Sequence, residues 1–162
     1  MKKFTFRQFI VTALVALILM PMALQAEHQR LIMGRSSEAF PETMSALQEA
    51  IKNAGYTLSI VQRVDIGLTG MGFQTDKYRV VFFGKPEEIK SLPKKYPKLT
   101  PYLPLAISIF AEQDETILTA MSPHFIEHSY AQSGSEDAEL HEIFQRWQKD
   151  IESIIEKMAH LE

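Results

Sequence analysis

The sequence predicts an α+β domain: an antiparallel sheet of about five strands covered by two main helices. Three observations predict it. Short β-rich runs cluster in the middle of the chain, an amphipathic helix follows the first of them, and a second helix closes the sequence. Strands grouped together with helices set apart point to a sheet with helices on one face, in the order strand, helix, four strands, helix.

The elements follow in turn. Leu31-Ile32-Met33-Gly34-Arg35 reads as the first strand. Ser36-Ser37 then offers a helix N-cap, with Glu38 and Glu42 near the positive end of the dipole. Phe40, Met44, Leu47, Ile51 and Ala54 recur at helical spacing, and Gly55 stands where a terminating glycine belongs. From Tyr56 to Val64 the pattern alternates, which puts Tyr56, Leu58, Ile60 and Val64 on one strand face. Gly67, Gly70 and Gly72 mark a glycine-rich connection. Tyr78 to Phe83 is apolar on both faces, as a central strand is.

Between Lys85 and Pro104, Pro86, Pro93, Pro97, Pro101 and Pro104 leave room for one helical turn, around Glu87 to Leu92, before extended backbone takes over. Leu105 to Phe110 and Thr116 to Met121, joined by a polar turn at Gln113-Asp114-Glu115, form a hairpin. A loop at Gln132-Ser133-Gly134-Ser135 leads to a long helix over residues 136–161. There Leu140, Trp147, Ile154 and Leu161 fall seven apart, as do Phe144, Ile151 and Met158, and Ile143 and Ile155 widen the seam. Such a stripe either lies on the sheet or pairs in part with a second copy.

Ahead of the domain, residues 1–26 have the three parts of a cleavable signal peptide. Lys2, Lys3 and Arg7 form a basic start, Phe9 to Met20 an apolar run ended by Pro21, and Ala26 a small residue at the cut. Twelve helical residues reach only about 18 Å, short of the ~30 Å hydrocarbon core, so the run is read as a signal and not as an anchor. Residues 27–162 are then a single exported domain. The expected location is the periplasm, or the medium where no outer membrane exists, with membrane contact only transient, through the signal.

Without its signal the chain is more acidic than the −3 of the full sequence, because Lys2, Lys3 and Arg7 leave with it. Nucleic acid is a poor partner for such a surface, since that affinity rests on cations meeting phosphate. The absence of cysteine excludes disulfides, thiolate metal sites and a lipoprotein-type anchor.

Three stretches carry a resemblance. One is Phe40 to Val64 with its Gly55 corner. Another is Phe83-Gly84-Lys85-Pro86, an F-G-N-P signature with lysine in place of asparagine. The third is Tyr102-Leu103-Pro104-Leu105, then Met121-Ser122-Pro123 and His128. Over roughly residues 31 to 130 the chain resembles the domain of unknown function 302 family. The resemblance implies a TATA-binding-protein-like α+β fold and a homodimer; it supplies no activity and no catalytic residues.

His124-Phe125-Ile126-Glu127-His128 fits H-x-x-E-H, in which two helical histidines hold zinc beside a glutamate base. That chemistry needs a third protein ligand, so His124 and His128 are candidate metal residues, and the competing reading has them capping or facing solvent. Lys85, Lys90, Lys94, Lys95 and Lys98 offer a surface for an anion or a partner, or simply keep the proline-rich segment soluble. Phe83, Gly84, Lys85, Pro104 and His128 are the candidate ligand-binding residues, and Phe82, Phe83, Phe110 and Met121 the candidate lining of an apolar pocket. No catalytic residue and no cofactor are assigned. The leading expectation is a non-enzymatic module that binds a small apolar or anionic ligand, or a partner, on the open sheet face or beneath the prolines. A metal-dependent hydrolase using His124, Glu127 and His128, and a structural homodimer, are the alternatives. The homodimer predicts an exposed apolar patch along Trp147 and Ile151.

Overall fold

The computed structural model describes residues 30–131 and 137–161. The signal segment and the loop at residues 132–135 lie outside them. The element order is β1 (Leu31–Ser36), α1 (Phe40–Asn53), β2 (Thr57–Arg63), α2 (Val64–Gly70), β3 (Tyr78–Gly84), α3 (Pro86–Lys95), a 3₁₀ turn (Pro97–Tyr102), β4 (Leu105–Glu112), β5 (Glu115–Met121), α4 (Pro123–Ala131), α5 (Ala138–Glu156) and β6 (His160–Leu161). The strands form one antiparallel sheet in the order β2-β3-β4-β5-β1-β6. The α+β class is as the pattern predicts.

Helices α1 and α5 pack on one face of this sheet and against each other. Their apolar stripes meet Phe83 and Val81 of β3, Leu105, Ile107 and Ile109 of β4, Leu118 and Ala120 of β5, and Ile32 of β1, all buried. The seam of α5 is spent here: Leu140, Phe144, Trp147, Ile151, Ile154 and Ile155 are all buried. Trp147 and Ile151 therefore offer no exposed patch to a second copy. On the other face Leu31, Ile60 and Met121 are about half exposed, at 48%, 59% and 47%.

Several local expectations are corrected. The first helix is capped at Ala39, not at Ser36 or Ser37, and Pro41 occupies its first turn. Ser36 instead sits buried at the end of β1, where its hydroxyl accepts from the Glu38 N–H and pairs with the Thr43 hydroxyl. The other end of α1 is as read. Gly55 takes φ +81°, its N–H bonds the Lys52 carbonyl, and the Tyr56 N–H reaches the Ile51 carbonyl, the paired bonds of a Schellman stop.

In β2 the alternation breaks. A bulge between Leu58 and Ile60 moves the pairing from Phe83 directly to Phe82. One extra residue flips every later side chain to the opposite face. Leu58 and Val61 therefore share the core face, and Ile60 is turned outward. The glycine-rich connection is in part the short helix α2, anchored by an ion pair between Asp65 and Arg79.

The proline segment is more helical than one turn. Pro86 opens α3 at its first turn, where a missing N–H costs nothing, and Pro93 falls in its last turns. Buried Leu92 and Tyr96 hold the helix to the core, and Tyr96 donates to Asp137 at 2.7 Å. The final helix ends at Glu156, so Met158 and Leu161 are outside it. The chain turns back, and His160 and Leu161 pair with Arg35 and Gly34 of β1.

Polar contacts tie α5 to what it covers. The Tyr56 hydroxyl donates to Asp150 at 2.6 Å beneath the Arg146 side chain. Burial, and next the bond to Asp150, push this phenol well above its ordinary value of 10.0. In the unfolded chain it ionises near that value, so stability is untouched below it and falls as pH rises above it. Tyr56→Phe is expected to flatten the alkaline limb of a melting-temperature-versus-pH curve. An unchanged limb would show that this phenol is not what the alkaline loss titrates.

Candidate functional site

Two cavities hold part of the set of residues that the sequence singles out. The first is a groove at the end of the sheet where β3 and β5 stop and β1 and β4 begin. The last turn of the proline segment, Pro101 to Pro104, arches over it, and a cis bond precedes Pro104 as the chain enters β4. Its walls are Leu31, Phe82, Tyr102, Pro104, Ala106 and Met121, and it encloses about 320 Å³. Ser108 and Thr119, cross-strand partners on β4 and β5, line its floor. The Thr119 hydroxyl is buried and has no hydrogen-bond partner. Among the described residues no charged side chain lines this groove.

The second cavity lies between α4 and α5, about 720 Å³ over the described residues, with His124, Glu127, His128, Asp137 and His141 among its lining. The i and i+4 positions of His124 and His128 on α4 bring both to this wall. Glu127 turns instead to His141 of α5, whose Nδ1 lies 2.5 Å from its carboxylate. The backbone beneath is anchored by Gln148, whose side-chain carbonyl accepts from the Ser122 hydroxyl and the His124 N–H. His124 Nε2 is buried without a partner. Among the described residues, no three histidine, aspartate or glutamate side chains converge closely enough to hold a metal ion. H-x-x-E-H chemistry needs that third ligand, and its glutamate here engages a histidine.

The remaining sequence candidates fall elsewhere. Phe83 is fully buried on the helix-covered face and meets the Tyr56 ring edge-on at 5.3 Å. At Gly84 β3 runs close against α3, because a Cβ there would stand 2.7 Å from the end of Ile89. Lys85 caps α3 and lays its ammonium 5.2 Å from the Tyr56 ring. The F-G-K-P signature thus builds the β3–α3 corner. Of the candidate ligand residues, Pro104 belongs to the groove and His128 to the second cavity; the structure does not bring the five together.

Of the candidate pocket lining, Phe82 and Met121 do meet at the groove. Phe110 shares their sheet face but sits at the far end of β4, edge-on to Tyr78 at 6.0 Å.

Sequence reading missed Thr119 and Ser108, His141, and a cluster around Glu88. There one carboxylate accepts from Trp147 Nε1 at 3.0 Å and from Arg146 at 2.6 Å, joining α3 to α5. Only the alternation within the hairpin could have found the hydroxyl pair. The helix–helix contacts have no local signal.

Residues 33–158 match the domain of unknown function DUF302. The chain belongs to this family. A solved DUF302 structure, an uncharacterised conserved protein from Bacillus stearothermophilus, superposes with a TM-score of 0.70 at 17% identity, covering 81% of this chain and 99% of that one. At that identity the likeness speaks for the fold. No curated protein matches the chain. The DUF302 match spans every described strand except the first residues of β1 and the short β6, and so includes the whole proline arch over the groove.

Proposed function

We propose that this DUF302 protein is an exported, non-enzymatic binding module that holds a small apolar molecule in the groove beneath Pro101 to Pro104. The observation that carries the reading is the lining itself: an apolar cleft with hydroxyls at its floor and no charged side chain. Ligand sites are mostly apolar with a few placed polar groups, and about 300 Å³ is at the small end of their range. That lining argues against an anionic occupant, which would need a cation or several N–H donors there. The basic start and apolar run of residues 1–26 support delivery out of the cytoplasm, and no helix of the described residues is long and apolar enough to cross a membrane.

Native mass spectrometry of the protein recovered from the exported fraction tests this in one measurement. A chain beginning at Glu27 is expected, carrying a small non-covalent mass that collisional activation strips away. Ala106→Leu, which pushes a branched side chain into the groove from β4, is expected to lose that mass while keeping its unfolding midpoint. An unliganded wild type that also takes up no added hydrophobic dye, or a variant that retains both, would sink the proposal.

A further inference from the structure

We infer that the groove selects neutral ligands that carry a hydroxyl, and that Thr119 is the residue that reads it. The inference rests on the groove being a ligand site, as proposed above. It comes from what the floor lacks and what it leaves unmet. The side chains lining the cavity hold polarity in three hydroxyls only, those of Tyr102, Ser108 and Thr119. A carboxylate moved into such a lining would lose its water and meet no cation, a loss of several powers of ten in affinity if uncompensated. An alcohol loses far less, and here it regains a partner.

The Thr119 hydroxyl is buried and makes no hydrogen bond, not even to Ser108 across from it. A threonine hydroxyl carries one proton and two lone pairs, so both roles are unmet. Thr119 stands between Met33 of β1 and Ser108 of β4 in the sheet, on the face that opens into the groove. Its side chain already lines the cavity, and a step of about 120° between staggered χ1 wells can carry its hydroxyl to the place its methyl holds, the methyl moving to that of the Cβ hydrogen. A ligand hydroxyl can both donate to and accept from such a group. The remainder of the lining, Leu31, Phe82, Pro101, Pro104 and Met121, suits an alkyl or flat hydrocarbon body.

The test uses the full exported protein and three probes: a fluorescent hydrophobic dye, decanol, and decanoate at neutral pH. Decanol is expected to displace the dye at concentrations at least about tenfold below those of decanoate. Thr119→Val keeps the shape and removes the hydroxyl, and it is expected to weaken decanol relative to the dye by about threefold to tenfold. Thr119→Ser is expected to restore the preference. If decanoate competes as well as decanol, or Thr119→Val leaves decanol unaffected, the selectivity inference is wrong though the groove remains a site. If Ala106→Leu leaves the binding of dye and decanol unchanged, or neither binds the wild type, the site itself is elsewhere and both readings fall.

Discussion

Trp147→Ala is expected to lower the unfolding free energy by about 3–5 kcal/mol, a large share of the roughly 5–15 kcal/mol that holds a domain folded. Trp147 is 1% exposed, and its ring stands edge-on to Phe144 at 5.6 Å in the layer between α5 and the sheet. Truncation loses the transfer energy of a large aromatic and leaves a cavity that the β-sheet, held by ladders on both sides, is poorly able to fill. Urea denaturation followed by far-UV circular dichroism reads the effect as a lowered midpoint at an unchanged slope. Trp147→Phe keeps much of the volume and loses the indole N–H, so it is expected to fall between the two. A loss for Trp147→Ala under about 1 kcal/mol would mean that α5 does not seal the core as described.

Glu88→Ala is expected to cost about 2 kcal/mol, far more than a surface carboxylate usually does. Its oxygens serve the buried Trp147 N–H and the Arg146 guanidinium, with the Glu88 side chain only 21% exposed. Removing the acceptor strands a buried donor, and that penalty outweighs the small net gain of a solvent-exposed ion pair. Glu88→Gln retains an acceptor for the indole and is expected to lose about half as much. Arg146→Met and Glu88→Ala together are expected to cost less than the sum of the two single losses, because removing Glu88 already takes the closest carboxylate from Arg146 and leaves it Asp150 at 3.9 Å. Strict additivity of the two substitutions would show that the two groups do not interact.

These features differ in how far the sequence exposes them. Helix α1 and its glycine stop are local matters: a 3.6-residue stripe and one residue free to take φ +81°. They are legible, though the start of the helix is not, since its cap is Ala39 and not Ser36 or Ser37. Helix α3 is not, because the rule that prolines break helices is positional. Pro86 sits where no N–H is needed, and burial of Leu92 and Tyr96 outweighs the bond that Pro93 forgoes. The outward turn of Ile60 depends on a bulge that no residue type announces. Phe82 and Phe83 look alike in composition, yet strand alternation sends one to the groove and the other to the core. The pairing of Glu127 with His141 joins two helices fourteen residues apart, and only packing decides it.

The end of the chain bears on when the domain can fold. The first strand finds its neighbours in Met121 through Thr116 and then in the last residues, where His160 lies opposite Arg35. A polypeptide threaded through a narrow pore, leading end first, therefore emerges with β1 unable to pair until most of the sequence has followed. Contacts of such separation close late and slowly. The leading half holds only the β2–β3 ribbon and α1 to satisfy itself, too little for independent stability. If the chain is exported as proposed, this topology keeps it pliable during passage and commits it to a compact state only near completion.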